Sequence, residues 1–294
     1  MDKKRTTDKR GIVQALWTLL TNSYATGFLN GVIYQGNTKS VCVPGLNCYS
    51  CPGARGACPI GSLQAVIGGK AGRFPFYVLG TLLVFGALLG RFICGWLCPF
   101  GWVQDLLFKL PPKKKWRSLK GEAYLRKLRY VVLVLFVIVL PVFAHGPFGM
   151  ATPWFCKYIC PSGTLFGALP LLALNDGLRN VLGWLFTWKA FLLVSILALS
   201  VKLYRPFCRY LCPLGAFYGV MNPVSLLRME VDAQKCTTCG VCQRACELDV
   251  PVFKTPNAPD CIRCGKCVHA CPHGALRMSL GSAQKSQSAA FNKF

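Results

Sequence analysis

The spacing of eight cysteines near the C-terminus constrains this chain more than any other feature. They form two quartets with the same intervals of two, two and three intervening residues: Cys236, Cys239, Cys242 and Cys246, then Cys261, Cys264, Cys267 and Cys271. Three thiolates at such short intervals can bind one iron-sulfur cubane, while the fourth reaches a neighbouring cluster. The spacing therefore predicts two [4Fe-4S] clusters held by a small α+β domain.

The two predicted ligand sets are interleaved. The first cluster takes Cys236, Cys239, Cys242 and Cys271, and the second takes Cys261, Cys264, Cys267 and Cys246. A pair of zinc ribbons is the alternative, since zinc also uses paired Cys-x-x-Cys hooks. A zinc ribbon would not need a third cysteine at the same interval, so the pattern favours iron and sulfur.

The composition predicts a membrane protein that carries a soluble domain. Of its 294 residues 53% are hydrophobic, and the mean hydropathy is +0.41. Cluster ligands must stay reduced, which places the C-terminal domain in the cytoplasm. A net charge of +24 could attract nucleic acid, but the basic residues stand beside apolar runs. We therefore expect no nucleic-acid partner.

Four apolar segments predict four transmembrane helices, at about 11–34, 74–93, 128–144 and 181–204. A signal peptide is the alternative for the first, but that run contains Asn22 and Asn30 and has no clear cleavage site. The apolar segment 164–174 is too short to span, which favours a re-entrant or interfacial piece.

Basic residues concentrate in the arm 1–10 and the loop 113–129, which places both termini on the cytoplasmic side of the inner (plasma) membrane. The predicted parts are a basic arm (1–10), membrane repeat 1 (11–112), a basic loop (113–127), membrane repeat 2 (128–223), the double-cluster domain (224–281) and a disordered tail (282–294).

The membrane part contains an internal repeat. Cys58-Pro-Ile-Gly-Ser-Leu matches Cys160-Pro-Ser-Gly-Thr-Leu, and the segment from Arg91 to Gly101 matches the segment from Arg205 to Gly215. Each copy contains two spans and two cysteine motifs. We therefore expect two copies that lie parallel in the membrane.

This topology sorts the other ten cysteines by side. At the cytoplasmic face, Cys94, Cys98, Cys208 and Cys212 are predicted to share a third [4Fe-4S] cluster. At the outer face, Cys51, Cys58, Cys156 and Cys160 are the predicted counterpart, and Cys42 and Cys48 are left as a disulfide pair. The alternatives are redox-active dithiols, or cysteines that pack as small hydrophobic side chains.

Single residues add weaker predictions. His145 at the end of the third span is a candidate ligand of quinone or haem, although an interfacial histidine in a turn is the alternative. Arg91 and Arg205 stand beside the cysteine turns, where a cation would favour the reduced cluster. Lys189 within the fourth span is either functional or extends to the outer surface.

Together, the motifs at 94–99 and 208–213 and the two quartets resemble the NapH-type membrane ferredoxins, with NosR-type and CcoG/RdxA-type proteins as relatives. The resemblance covers about residues 11 to 280. It implies four spans, a cytoplasmic double-cubane domain and participation in quinol oxidation. It also implies that electrons leave for a periplasmic reductase, typically nitrate reductase.

No acid-base, nucleophilic, phosphate-binding or dinucleotide motif is present, so the chain is predicted to carry electrons between the quinone pool and redox proteins on either side. Those partners are an outer reductase or cytochrome and a cytoplasmic iron-sulfur protein. Two alternatives are a maturation or regulatory redox protein and a subunit of an ion-translocating complex. The two cysteine faces should be separated by about 30 Å, a gap that quinone, haem or a partner subunit would fill.

Overall fold

The computed structural model describes residues 3–69, 74–111, 115–144, 152–180 and 182–281. The described residues as far as residue 221 are mostly helical, and a small α+β domain follows. The predicted tail at 282–294 lies outside the described residues. The helices of the first part are α1 (Lys3–Thr21), α2 (Ala25–Asn30), α3 (Pro59–Ile67), α4 (Phe76–Leu89), α5 (Phe92–Trp96), α6 (Pro99–Lys109), α7 (Glu122–Val131), α8 (Leu140–Phe143), α9 (Trp154–Tyr158), α10 (Leu169–Leu174), α11 (Asp176–Arg179), α12 (Trp184–Lys202), α13 (Pro206–Tyr210) and α14 (Pro213–Met221).

Each predicted span contains a helix, but the helices differ in length. Within the described part of the chain, α12 is the one helix that is long and apolar enough to cross a membrane. Helix α4 has 14 residues, and a π-helical segment, Val132–Val139, joins α7 to α8 without a break. The structure therefore shows helices at all four positions and one candidate membrane span.

The first predicted span, 11–34, is not one helix. Helix α1 ends at Thr21, where the Asn22 side-chain amide donates to Thr18 O at 3.0 Å. The backbone N–H of Arg55 donates to Thr21 O, also at 3.0 Å, so a distant loop satisfies a carbonyl at the helix end. This contact between residues far apart in sequence breaks the span that hydropathy predicts.

Two π-helical segments each precede a proline. Val132–Val139 is followed by Pro141, and Gly163–Ala168 is followed by Pro170. Proline lacks the N–H that would continue an α-helical ladder, and a wider π turn is one way to accommodate it. The second segment continues into α10, so residues 163–174 form an apolar helix that is too short to span a membrane.

The long helices expose apolar side chains. Leu19 on α1, Phe76 on α4, Val134 between α7 and α8, and Phe191 on α12 are all more than half exposed. Together with their neighbours they form a larger apolar surface than soluble proteins usually expose.

The C-terminal domain is built on a two-stranded sheet. Strand β1 (Leu227–Val231) pairs antiparallel with β2 (Leu276–Leu280), with Met229 opposite Met278. Two short helices, α15 (Val241–Arg244) and α16 (Lys266–Ala270), each follow one cysteine turn. This arrangement brings the end of the second quartet beside the start of the first.

Candidate iron-sulfur sites

Each cysteine set predicted for the C-terminal domain surrounds its own hollow. A hollow of about 340 Å³, here called the distal site, is lined by Cys236, Cys239, Cys242 and Cys271. A second hollow of about 410 Å³, the proximal site, is lined by Cys246, Cys261, Cys264 and Cys267. The structure thus brings together the interleaved sets, with Cys271 and Cys246 exchanged between the two quartets.

The two turns have the same backbone conformation. Thr238 and Arg263, one residue before the second cysteine of each quartet, have φ values of +53° and +51°. Gly240 and Gly265, one residue after that cysteine, have φ values of +71° and +78°. Positive φ values on both sides of one cysteine curl the chain so that successive N–H groups point inward. Such a curl suits an anionic cluster. The glycines supply the φ that other residues adopt at a cost.

The proximal site is more buried than the distal site. Cys239 of the distal site is exposed, whereas Cys261 and Cys267 are buried. Burial raises the pKa of the Cys261 thiol to about 12, so without a metal this thiol keeps its proton. Iron binding would displace that proton, which fits a site designed for a metal rather than a free thiolate.

Among the described residues, no three His, Cys, Asp or Glu side chains converge on one metal ion.

The four cysteines predicted at the cytoplasmic face form one buried group, here called the inner site: Cys94, Cys98, Cys208 and Cys212. Cys94, Cys98 and Cys208 all lie within electrostatic range of Cys212, so the structure brings the four thiols into one neighbourhood. Cys98 and Cys212 stand at the N-termini of α6 and α14, each followed by proline. The Gly215 N–H donates to Cys212 Sγ at 3.3 Å, and helix N-termini stabilise thiolates.

Gln104 was missed by the sequence reasoning and contacts the inner site directly. Its Nε2 donates to Cys208 Sγ at 3.2 Å, and its Oε1 accepts from the Phe207 N–H at 3.2 Å. The side chain is fully buried and held at both ends. The sequence signal was a polar residue on the apolar helix α6, six positions after Cys98.

Arg91 and Arg205 bind across the two halves of the inner site. Arg91 Nη2 donates to Cys208 O at 3.1 Å, and Arg205 Nη1 donates to Cys94 O. Each arginine therefore binds the backbone of the opposite cysteine turn. Both are nearly completely buried, so their charge acts on the site with little screening by water.

Asp105 balances part of this positive charge and was also missed. It accepts from Arg205 Nε at 2.7 Å and from Gln14 Nε2 at 3.2 Å, and it forms an ion pair with Arg10. Tyr204 completes the group through a 3.0 Å bond from Arg10. The sequence signal for Asp105 was a lone acidic residue on an apolar helix. The chain has only ten acidic residues in all, so each is a candidate partner for buried positive charge.

At the opposite end of the helical part, the structure groups a set of cysteines that differs from the predicted one by one residue. Cys48 acts electrostatically on Cys58, Cys156 and Cys160, and a Cβ on Gly163 would lie 3.5 Å from Cys48 Sγ. We call Cys48, Cys58, Cys156 and Cys160 the outer group.

Cys51 and Cys42 lie beside this group. Cys51 Sγ donates to Asn22 Oδ1 at 3.4 Å, and the Cys42 N–H donates to Tyr77 OH at 3.2 Å. All 18 cysteines are free thiols in the structure, so it contains no disulfide between Cys42 and Cys48. Cys48 takes the predicted place of Cys51 because the loop turns its side chain toward Gly163. His145, the predicted quinone or haem ligand, lies outside the described residues.

The basic loop packs against the C-terminal domain. Asp260 lies 2.7 Å from Arg126, 2.6 Å from Arg129 and 3.5 Å from Arg91. Burial alone raises the pKa of Asp260, but the three arginines together lower it to about 2. Arg117 donates to the carbonyls at the end of α15. The sequence predicts only an orienting role for these arginines, and the structure adds this docking role.

A tight backbone contact joins the inner and proximal sites. A Cβ on Gly95 would lie 2.4 Å from Ile262 O, so only glycine fits there. Trp96 Nε1 donates to Arg263 O at 3.1 Å beside it. Because Gly95 follows Cys94 and Ile262 follows Cys261, one cysteine of each site lies within one residue of this contact.

Two family models match the chain, both described as "4Fe-4S binding domain". One matches three times, at residues 74–118, 128–173 and 183–229, and the other matches residues 256–277. Each of the three matches contains one Cys-x-x-x-Cys-Pro motif. The repeat is therefore finer than the predicted duplication, because one helix with its cysteine turn is the recurring unit.

Several curated proteins are similar to the chain. An uncharacterized protein of Methanocaldococcus jannaschii is 30% identical over 71% of this chain and 80% of its own length. The methylamine utilization ferredoxin-type protein MauN of Methylorubrum extorquens is 31% identical over 64% of this chain and 59% of its own. The ferredoxin-type protein NapH of Haemophilus influenzae is 29% identical over 60% and 54%. No solved structure matches the chain.

Proposed function

Because this chain belongs to the NapH-type family of ferredoxin-like 4Fe-4S proteins, we propose that it is a membrane-bound electron carrier serving the quinone pool. Its iron-sulfur clusters take up and release single electrons. The distal, proximal and inner sites are the proposed binding sites, with the twelve cysteines named above as ligands. The contact of Gly95 with Ile262 is the observation that carries this proposal.

The residues around the three sites support transfer along one line. The exposed distal site lies where a soluble partner can approach, and the buried proximal site lies against Tyr204 of the helical part. A small cavity lined by Ile262 and Cys208 adjoins the inner site. Ile262 also lines the proximal site, so this residue lies between the cavity and the proximal site. Neighbouring sites in such close contact favour direct electron tunnelling.

Buried arginines fit a carrier of negative charge. Arg91, Arg205, Arg209 and Arg126 line the cavity beside Cys208, and Asp260 is the acidic residue among its lining residues. A cluster with four thiolates is anionic and becomes more so on reduction, so this positive surplus favours the reduced form. The cations raise the reduction potential of whatever the inner site holds.

We place the chain in the inner membrane with four spans and both termini in the cytoplasm. Helix α12 and the exposed apolar faces of α1, α4 and α7–α8 support a membrane location. The inner site then lies at the cytoplasmic face beside the C-terminal domain. Quinol would donate electrons within the membrane, and redox proteins on either side would exchange them.

Quinol-driven reduction tests this proposal. Full-length protein, purified anaerobically in detergent, is mixed with menaquinol while cluster absorbance is followed. We expect bleaching of the iron-sulfur absorbance, and slower bleaching of the C-terminal clusters in Cys94→Ala than in the unaltered protein. Failure of menaquinol and ubiquinol alike to reduce any cluster would refute the quinol role, while leaving iron-sulfur electron transfer itself intact.

A further inference from the structure

We propose that the outer group, Cys48, Cys58, Cys156 and Cys160, binds a fourth iron-sulfur cluster that is linked directly to the inner site through Leu46 and Ser162. This inference rests on the proposed function in taking the inner site as a cluster site. It would give the chain its own electron path between its two ends.

The outer group repeats the construction of the inner site. Gln64 Nε2 donates to Cys156 Sγ at 3.5 Å, and Gln64 Oε1 accepts from the Phe155 N–H at 3.0 Å. Gln104 makes the same two bonds to Cys208 and Phe207. Gln64 also stands six positions after Cys58, as Gln104 does after Cys98. Both glutamines are fully buried, so each pair of bonds is specified by its surroundings.

The same helix-terminal arrangement also occurs at both places. Cys58 precedes Pro59 at the N-terminus of α3, as Cys98 precedes Pro99 at the N-terminus of α6. Backbone N–H groups of Ile60 and Gly61 interact with the Cys58 sulfur. Helix N-termini of this length favour a thiolate over a thiol. These N–H groups are therefore placed to donate to the Cys58 sulfur when it binds metal.

Cations surround the outer group as they surround the inner site. Lys189 Nζ donates to Cys156 O at 3.2 Å, the bond that Arg91 makes to Cys208 O. Lys39 is 6% exposed, donates to Ala54 O at 2.7 Å and acts electrostatically on Cys51 and Cys48. Buried lysines are costly unless an anion is near. Four thiolates around iron and sulfide provide an anion near Lys39, and they give the half-buried Lys189 a role other than reaching the surface.

The loop that contains Leu46 connects the inner site and the outer group. The Leu46 N–H interacts with the Cys98 sulfur, and Leu46 O accepts from Ser162 Oγ at 3.4 Å. The Ser162 N–H in turn interacts with the Cys160 sulfur. Two residues therefore link a sulfur of the inner site to a sulfur of the outer group. The through-bond path is under about 20 Å, and the straight line is shorter.

Neighbouring contacts hold this loop between the two sites. A Cβ on Gly45 would lie 2.9 Å from Leu97 O and 3.3 Å from Cys98 Cα, so glycine permits the approach. Tyr218 OH donates to Pro44 O at 3.1 Å, and Tyr218 is within electrostatic range of both Cys58 and Cys94. The gap of about 30 Å expected from the sequence is therefore not found, because this chain's own loop links the two groups over less than about 20 Å without a separate carrier.

The metal content of two matched variants tests the cluster. Full-length protein is purified anaerobically, and iron, acid-labile sulfide and zinc are measured per chain for Cys48→Ala and Cys51→Ala. Cys48→Ala should lose about four irons from a total of about sixteen, together with one EPR signal. Cys51→Ala should lose none, because Cys51 lies outside the group.

Three outcomes would overturn the fourth cluster: unchanged iron in Cys48→Ala, loss of iron in Cys51→Ala alone, or one zinc in place of iron. Alkylation and mass spectrometry that reveal a disulfide within the outer group would overturn it as well. The proposed function fails separately. If Cys94→Ala keeps all its iron while Cys48→Ala loses four, the inner site is wrong and the outer cluster stands.

The link through Leu46 and Ser162 has its own test. Reduced clusters this close should broaden or split each other's EPR signals, and both Cys48→Ala and Cys94→Ala should abolish that interaction. Ser162→Ala keeps the backbone N–H but removes the hydroxyl. After photoreduction of one cluster, electron transfer between the inner site and the outer group should be severalfold slower, while the reduction potentials of both sites stay unchanged. The exposed Ser40→Ala is the control. An unchanged rate in Ser162→Ala would refute the link.

Discussion

Two buried glutamines show how single side chains can set the properties of the proposed sites. Gln104 and Gln64 each donate to a cysteine sulfur and are held by a backbone N–H on the other side. Hydrogen bonds to cluster sulfur stabilise the more negative, reduced state. The glutamines should therefore raise the reduction potential of their own site and leave the other unchanged.

Replacement of Gln104 by leucine tests this role. Gln104→Leu keeps the volume but removes the donor, so the potential of the inner site should fall by a few tens of millivolts. Redox titration monitored by EPR measures it. Gln64→Leu is the matched control and should lower the outer potential alone. An equal shift of both potentials in either variant would contradict the assignment.

Asp105 supports the inner site through charge. It is 8% exposed and compensates two buried arginines, Arg10 and Arg205. Removal of one member of such a group leaves uncompensated charge in a medium that solvates it poorly.

Asp105→Asn should therefore lower the free energy of unfolding by about 3–5 kcal/mol. Thermal unfolding in detergent measures the loss. Asp176→Asn is the control, because Asp176 is 90% exposed beside Arg179 and such surface pairs contribute little. Equal melting temperatures for the two variants would show that the Asp105 network does not stabilise the fold.

Among the helices and loops, the docking of the C-terminal domain depends on α5 and the basic loop. Gly95 on α5 lies against Ile262 O, and Asp260 is held by Arg126 and Arg129 of α7. Positive charge that the sequence predicts to set membrane orientation thus also holds a domain in place. Position along the sequence could not show this, because it depends on where the domain folds back.

Gly95→Ala should loosen the docked domain. The added Cβ would lie 2.4 Å from a backbone oxygen, so the domain must shift away. We expect faster proteolysis between residues 222 and 236 and slower electron transfer from the proximal to the inner site, with the iron content unchanged. Gly80→Ala on α4 is the control, since no atom lies within 4 Å of its added Cβ. Equal proteolysis and transfer rates in the two variants would contradict a docking role for Gly95.

The whole molecule has two ends with similar cysteine groups. The three family matches show one helix with one cysteine turn as the recurring unit, and successive turns alternate between the inner site and the outer group. If the units cross a membrane, alternate turns lie on opposite sides.

Reporter fusions test this topology. Alkaline phosphatase fused after residue 176 should be active outside the cytoplasm, and the same enzyme fused after residue 281 should be inactive. A fluorescent protein that folds only in the cytoplasm should give the opposite pattern. Phosphatase activity at residue 281 would rule out a cytoplasmic C-terminal domain.

Local spacing was enough to predict the iron-sulfur domain and the two sets of four cysteines that line its hollows. Cys236, Cys239 and Cys242 are held together by turns of two residues, so chain connectivity alone brings their sulfurs close. The four helical positions were also predictable, because apolar composition is a property of a continuous segment.

Tertiary structure decided what depends on residues far apart in the sequence. Cys48 rather than Cys51 joins the outer group because a loop turns it toward Gly163, more than a hundred residues away. Contacts between residues far apart in the sequence also produce the link through Leu46, the hydrogen bonds of the two glutamines and the ion pairs of Asp260. Side chains a few residues apart are brought together by the connectivity of the chain. Contacts between distant segments exist only once packing has selected one arrangement of the helices.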